Sequence, residues 1–227
     1  MRRQTIHLAR RFLLVIIVAA IGLAGVALWQ QARGDAGLPA LAQLRRPFLP
    51  LAGRQIGIVA GHSGNDAGAV CPDGLTEAQV NMAVAEAVVK ELQARGAAVD
   101  LLAEFDERLA GYRGDAFVSI HADSCAVELS GYKVAGLATN GPAANGESAR
   151  LVACLWRAYG EATGLAQHPD TITYDMSRYH AFHEIAATTP AAIIEIGFLK
   201  ADRELLTRHP ERAAAGIVAG IECFLNR

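Results

Sequence analysis

The sequence predicts an α/β fold in which a mixed, largely parallel β-sheet is flanked by helices, as a single domain behind an N-terminal transmembrane helix. Short apolar runs alternate with longer segments of helical period from about Arg54 to the C-terminus. Most of these runs are apolar throughout, which is typical of strands buried on both faces of a sheet. A long uncharged run lies near the N-terminus and predicts the membrane helix.

The N-terminal run extends from Phe12 to Trp29 without a charged residue, long enough to span a bilayer as a helix. Four arginines in residues 1–11 predict that this tail is cytoplasmic and that the rest of the chain lies outside. A cleaved signal peptide is the alternative, although its apolar region is usually shorter and no clear A-x-A site follows. We therefore expect a single-pass protein of the cytoplasmic membrane with an extracytoplasmic domain, or else a secreted one.

The remaining chain divides at about residue 54. Residues 30–53 contain several glycines and prolines and no clear period, which predicts a linker. Residues 54–227 are long enough for one domain with a core of its own. The net charge of −2 gives no reason to expect a nucleic-acid partner.

Apolar runs and helical periods place the elements of this domain in order. Thr76 is expected to cap the first helix, and Gly96 stands where a C′ glycine ends it. The strands are predicted at Ile56–Ala60, Ala98–Leu102, Ala116–Ile120, from Gly131 onward, and at Ala191–Ile196. The helices are predicted at Thr76–Arg95, Glu104–Tyr112, Ser148–Thr163, Asp202–Leu206 and Glu211–Leu225.

Four cysteines follow the uncharged run, in a part of the chain where export permits disulfides. Cys71 and Cys125 each lie a few residues from one of the candidate site segments described below, which can bring them together in space. They either form a disulfide or remain thiols. Cys154 and Cys223 fall on apolar helix faces, and we expect them to be buried thiols.

Metal-type side chains gather at the predicted strand ends. His62, His121 and Glu195 lie at or just beyond the ends of strands, and Glu77 opens the helix after the first loop. Ligands bind at the carboxyl ends of strands in such sheets, so these four are expected at one edge. Two imidazoles and a carboxylate around an open position form a catalytic zinc arrangement, and a further carboxylate can act as acid and base.

Each of these residues also has an ordinary structural explanation. His62 could be a hydrogen-bonding loop residue, and His121 a satisfied core histidine. Glu77 would be favoured near a helix N-terminus without any function, and Glu195 could pair with a buried arginine. The coincidence of all four at one sheet edge favours the metal site.

Four blocks of sequence contain these residues: "GIVAGHSGNDAGAV", "LTEAQVNMAVA", "FVSIHAD" and "TPAAIIEIGFLKADRELL". In sequence, order and separation they resemble the zinc-dependent N-acetylmuramoyl-L-alanine amidases of the Amidase_3 type. The resemblance implies that His62, Glu77 and His121 bind Zn²⁺ and that Glu195 is catalytic. It implies zinc-dependent hydrolysis of the amide between N-acetylmuramic acid and L-alanine, with peptidoglycan as substrate. The sequence identifies no protein activator.

The chain departs from the family pattern at positions beside the proposed site. Val59 stands where the family usually has Asp, Ser63 where it has Gly, and Asp123 where it has Asn. Lys200 and Ala201 replace a usual Ser-Asn pair. None of these changes removes a proposed ligand. They leave open two alternatives, a catalytically impaired peptidoglycan-binding module and another zinc amidohydrolase or peptidase on the same scaffold.

Other polar residues are weaker candidates. His180 and His183 in "HAFH" would share a helix face and form a second metal pair, or else line a groove. Arg178 and Tyr179 are candidates for substrate contact, and Asp66 for support of the first loop. The segment from Cys125 to Gly146 is too short for the long helix that covers the site in some family members, so we expect an open site.

Overall fold

The computed structural model describes residues 49–137 and 146–226, which contain a five-stranded sheet of order β2-β1-β3-β5-β4. β1, β2, β3 and β5 run parallel, and β4 pairs antiparallel with β5 at the edge. The strands are β1 Gln55–Ala60, β2 Ala98–Leu102, β3 Ala116–Asp123, β4 Lys133–Ala135 and β5 Ala191–Phe198. The predicted mixed, largely parallel sheet is confirmed.

Helices cover both faces of the sheet within the described residues. The three long helices and the short helix at Arg203–Arg208 share one apolar core with alternate residues of the strands, and the short helices at Tyr174–Ser177 and Ala181–Glu184 cover the other face. The helices are α1 Glu77–Ala94, α2 Gly146–Thr163, α3 Tyr174–Ser177, α4 Ala181–Glu184, α5 Arg203–Arg208 and α6 Pro210–Leu225. This two-sided covering explains why the strands are apolar throughout rather than alternating.

The ends of α1 are set by the local signals read from the sequence. The Thr76 side chain accepts the backbone N–H of Gln79, and the Gln79 side chain accepts the backbone N–H of Thr76, a complete capping box. At the other end Gly96 has φ +94°, and the Ala97 N–H reaches the Leu92 carbonyl, so the helix ends in a Schellman motif. Both predicted termini are confirmed.

The helix predicted at Glu104–Tyr112 is wrong. The segment contains only a 3₁₀ turn at Glu107–Leu109. The carboxylate of Asp106 accepts the backbone N–H groups of Ala103 and Arg108, which favours a turn over a helix.

The compact unit begins at Leu49, so it includes five residues that the sequence assigned to the linker. Leu51 is fully buried, and its N–H donates to the Arg95 carbonyl at 3.1 Å. The predicted membrane helix at residues 12–29 and the linker at 30–48 lie outside the described residues. Among the residues that are described, no helix has the length and hydropathy of a membrane span.

Two disulfides link the four cysteines. Cys71 pairs with Cys125, one of the two outcomes left open by the sequence. The expectation that Cys154 and Cys223 are thiols is wrong, because they form the second disulfide. Packing of α2 on α6 brings their Cα atoms to 5.8 Å, a contact that neither helix reveals alone.

We predict that replacing Cys154 and Cys223 together by alanine lowers the free energy of unfolding by about 2–4 kcal/mol. The disulfide joins residues 69 positions apart and so restricts the unfolded chain. Urea unfolding under oxidising conditions measures the loss. Activity should be unchanged, since the pair links α2 to α6 away from the strand ends. An unchanged unfolding midpoint would contradict the prediction.

Candidate metal centre and active site

His62 follows β1 in a backbone conformation that aims its ring into the site. Its φ is +65°, which makes it the one non-glycine residue with positive φ among those described. Such a conformation costs energy and persists where surrounding contacts fix it. The Ser63 N–H donates to the Ala60 carbonyl, and the carboxylate of Glu104 accepts the His62 N–H at 2.6 Å. These contacts hold the turn at the end of the strand.

The structure brings the three predicted ligands together. His62, Glu77 and His121 each offer a ligand atom within 4.8 Å of the other two. Glu77 Oε1 lies 3.2 Å from His62 Nε2 and 3.2 Å from His121 Nδ1. Tetrahedral zinc with ligand bonds of about 2.0–2.1 Å places its ligand atoms about 3.3 Å apart. The donor set and the spacing therefore fit a divalent metal such as zinc.

Backbone and side-chain donors hold the Glu77 carboxylate. Oε2 accepts the N–H of Ala69 at 3.1 Å, and Oε1 accepts the N–H of Ala122 and the side-chain amide of Asn81, both at 3.2 Å. The same amide of Asn81 donates to the Gly61 carbonyl at 3.1 Å. A Cβ at Gly61 would lie 2.4 Å from the His121 ring, so this position requires glycine.

Asp66 is the support of the first loop that the sequence suggested. Its Oδ1 lies 2.6 Å from His62 Nδ1 and also accepts the N–H of Gly68 at 2.8 Å. A carboxylate on the second ring nitrogen fixes the orientation of a metal-ligating histidine. Asp66 therefore leaves His62 Nε2 to face the site.

In the absence of a metal, the contact between His62 and Glu77 favours the charged form of both side chains. The hydrogen bond to Glu77 raises the pKa of His62 from 6.5 to about 9, although burial opposes it. Burial would raise the pKa of Glu77, but hydrogen bonds from His121 and His62 outweigh it and hold the pKa well below its usual range. The metal-free site thus pairs an imidazolium with a carboxylate.

Glu195 lies in β5, in register with His121 on the neighbouring strand. Its Oε2 is buried and has no hydrogen-bond partner among the described residues. Burial raises the pKa of this carboxyl to about 7. A carboxyl that titrates near neutral pH can both accept and donate a proton.

An open cavity of about 380 Å³ is lined by both Glu195 and His121, one of the three metal-type residues. Arg178 and Tyr179 line it, as the sequence suggested, and the Tyr179 hydroxyl accepts a hydrogen bond from Ser119 at 3.0 Å. The complete lining is Glu104, His121, Thr173, Asp175, Met176, Arg178, Tyr179, His180, Ile193 and Glu195.

"HAFH" is not a second metal pair. His180 contacts Glu104 with Nε2 at 2.9 Å, whereas His183 lines a different cavity. Within residues 49–137 and 146–226, His62, Glu77 and His121 form the one group of three metal-type side chains close enough to share an ion. His180 therefore contributes to the site through Glu104.

Glu104 is the site residue that the sequence reasoning missed. It is 6% exposed and lies two residues after β2, at the same sheet edge as His62 and His121. Its position after a strand was the available signal. The prediction of a short helix beginning at Glu104 obscured this signal.

The departures from the family pattern are accommodated locally. Val59 is fully buried in the core, and the Ser63 hydroxyl donates to the Ala60 carbonyl at 2.6 Å. Asp123 forms an ion pair with Lys133 at 2.5 Å, and Lys200 pairs with Glu128. Within the described residues, none of these four forms a hydrogen bond or ion pair with the side chain of a proposed ligand.

Residues 56–223 match the family model Amidase_3, N-acetylmuramoyl-L-alanine amidase. The chain belongs to this family. It is therefore an amidase that acts on peptidoglycan. The match spans His62, Glu77, His121 and Glu195.

Relatives and solved structures agree with this membership. An uncharacterised protein YqiI from Bacillus subtilis (strain 168) is 28% identical over 200 residues, covering 82% of this chain and 92% of YqiI. The amidase Ami1 from Mycobacterium smegmatis has a TM-score of 0.63 at 23% identity, covering 77% of this chain and 98% of Ami1. The amidase CwlD from Clostridioides difficile, solved with the GerS lipoprotein, has a TM-score of 0.60 at 22% identity, covering 76% and 98%.

We predict that the metal-free protein loses about 1–2 kcal/mol of stability between pH 6.5 and pH 9, a value discounted because His62 is partly exposed. The folded pKa of His62 is raised, so its stabilising contribution is complete below pH 6.5 and is lost as pH rises through about 9. Urea unfolding in chelator measures the loss. His62→Gln, which cannot take the proton, is the matched control, and an equal pH dependence in that variant would contradict the prediction.

Proposed function

We propose that this chain hydrolyses the amide between the lactyl group of N-acetylmuramic acid and L-alanine in a zinc-dependent reaction. The observation that carries the proposal is the placement of Glu195 and His121 at one cavity, with His121 in contact with Glu77 and near His62. Membership in the amidase family supplies the bond and the substrate. His62, Glu77 and His121 are the proposed zinc ligands.

Zinc held by these residues would polarise the amide carbonyl and make a water molecule more acidic. Glu195 takes the proton from the attacking water and passes it to the amine of L-alanine as the C–N bond breaks. The raised pKa of Glu195 suits both steps, because the carboxyl is poised near neutral pH in the apolar strand. Glu195 Oε2 forms no hydrogen bond with the described residues, so proton transfer at this oxygen breaks no hydrogen bond of the fold.

The surroundings of the cavity suit a polymeric substrate. The described residues between Asp123 and Leu137 contain β4 but no helix over the site. Phe105 and Tyr174, both largely exposed, flank residues of the cavity lining and offer apolar faces on which a sugar ring can pack. Arg178 lines the cavity with its guanidinium 5.1 Å from the centroid of the Tyr174 ring, and in the proposed function it pairs with a carboxylate of the substrate.

We expect the zinc-loaded chain to release stem peptides with a free L-alanine amino end from purified peptidoglycan. The full chain in mild detergent is incubated with the wall, and products are identified by mass spectrometry. A chelator should abolish release and added zinc should restore it. Glu195→Gln should reduce turnover by at least about 10²-fold while zinc content is retained.

Other products would identify other functions. Zinc-dependent products cut at another bond would indicate a different amidohydrolase or peptidase. Tight wall binding without any product would indicate a binding module. Full activity in Glu195→Gln would refute the assigned acid–base role.

We also propose that residues 12–29 anchor the chain in the cytoplasmic membrane, with the amidase domain outside and within reach of the wall. The proposal rests on the uncharged run and the four arginines before it. Secretion after signal cleavage is the alternative.

The expected result is that the full chain stays with the membrane after extraction at alkaline pH. Ile21→Arg, which places a charge at the centre of the run, should release it or block its export. A mature form shortened by about 30 residues in the medium would contradict the anchor. Protease added to intact spheroplasts should digest the domain if it lies outside.

A further inference from the structure

Glu104 is the centre of a buried polar cluster behind the proposed metal ligands. Its Oε2 accepts the backbone N–H of His62 at 2.6 Å and lies 3.5 Å from His121 Nε2. Its Oε1 lies 2.9 Å from His180 Nε2, and the Tyr179 hydroxyl also contacts the carboxylate. The Glu104 carboxylate is thus enclosed by donor groups of His62, His180 and Tyr179.

His121 needs an acceptor on the side that Glu104 occupies. Its Nδ1 faces Glu77, so a metal-ligating Nδ1 leaves the ring proton on Nε2. That Nε2 is buried and has no hydrogen-bond partner among the described residues. A buried N–H without an acceptor is destabilising, because it loses its hydrogen bond to water on folding. Glu104 Oε2 lies 3.5 Å from this nitrogen, about 0.3 Å beyond the usual upper limit for an N–H···O hydrogen bond.

His180 fixes the position of this carboxylate. Its second ring nitrogen, Nδ1, lies 2.7 Å from Glu184, and Phe105 stacks on its face at 4.3 Å between ring centroids. The ring is thus held on three sides with Nε2 directed at Glu104. The segment that carries it also supplies Tyr179 to the cavity lining.

We propose that Glu104 is a positioning residue of the metal centre, which accepts the Nε2–H of His121 and the N–H of His62 and is itself oriented by His180. This inference rests on the proposed function, because it assigns Glu104 to the zinc site of that reaction. A carboxylate on a ligating histidine fixes the ring and strengthens it as a ligand. His180 then acts on the metal through Glu104, although it is not a ligand.

The test measures zinc affinity by competition with a chromophoric chelator at pH 7.5, on the full chain in mild detergent. Glu104→Gln keeps the size of the side chain and removes its charge, and we expect zinc affinity to fall by about 10–100-fold. His180→Gln should weaken zinc binding less, by several-fold. His183→Gln is the matched control, because this neighbour lines another cavity, and it should bind zinc as the unmodified chain does.

A spectroscopic measurement separates positioning from a general loss of structure. Cobalt substituted for zinc reports ligand geometry through its visible absorption, which should change in Glu104→Gln and not in His183→Gln. Glu104→Asp, which restores the charge on a shorter side chain, should recover part of the affinity.

Unchanged zinc affinity and cobalt absorption in a folded Glu104→Gln variant would overturn the inference while leaving the proposed function intact. If Glu104→Gln does not fold, His180→Gln decides, and zinc binding equal to the His183→Gln control would overturn it. A chain that binds zinc and responds to Glu104→Gln, yet releases no stem peptide, would refute the proposed function and support the inference. Failure of the unmodified chain to bind zinc would refute both.

Discussion

The buried carboxylate of Glu77 must be kept ionised inside the protein, and the construction of the site follows from that requirement. A buried charge without partners would be protonated instead. The Glu77 carboxylate is surrounded by the N-terminus of α1, two backbone N–H groups and two imidazoles. These partners come from the end of β1, the following loop and the end of β3. The contacts that stabilise the carboxylate therefore also assemble three ligand atoms.

Glu195, at the same edge of the sheet, lies in surroundings that favour the protonated carboxyl rather than the carboxylate. Glu77 is held ionised by donors, whereas Glu195 lies in an apolar strand with an orphaned oxygen and a pKa raised to about 7. Two carboxyl groups with opposite shifts are suited to different tasks, one as a permanent ligand and one as a proton carrier. The distinction follows from the elements that hold them, since a helix N-terminus offers donors and the middle of a buried strand does not.

Local signals explain which parts could be predicted from the sequence. The capping box of Thr76 and the C′ glycine Gly96 act within a few residues, so α1 was predicted nearly to the residue. His62 follows β1 and Glu77 opens α1, whereas His121 and Glu195 lie inside β3 and β5, two to three residues before the strands end. The topology alone brings all four to one edge of the sheet. Glu104 and the Cys154–Cys223 disulfide depend on contacts 76 and 69 positions apart, respectively, which no local pattern contains.

The Cys71–Cys125 disulfide connects the chemistry of the site to the compartment in which we propose that it works. Cys71 lies six residues before Glu77, and Cys125 lies four residues after His121. The bond therefore ties together the two segments that carry these ligands, and it limits how far they separate when no metal is bound. A site held in this way loses less conformational freedom on binding a metal. Such a tether is stable only where thiols are oxidised, as they are outside the cytoplasmic membrane. The position of this disulfide thus agrees with a metal centre organised for work in an exported domain.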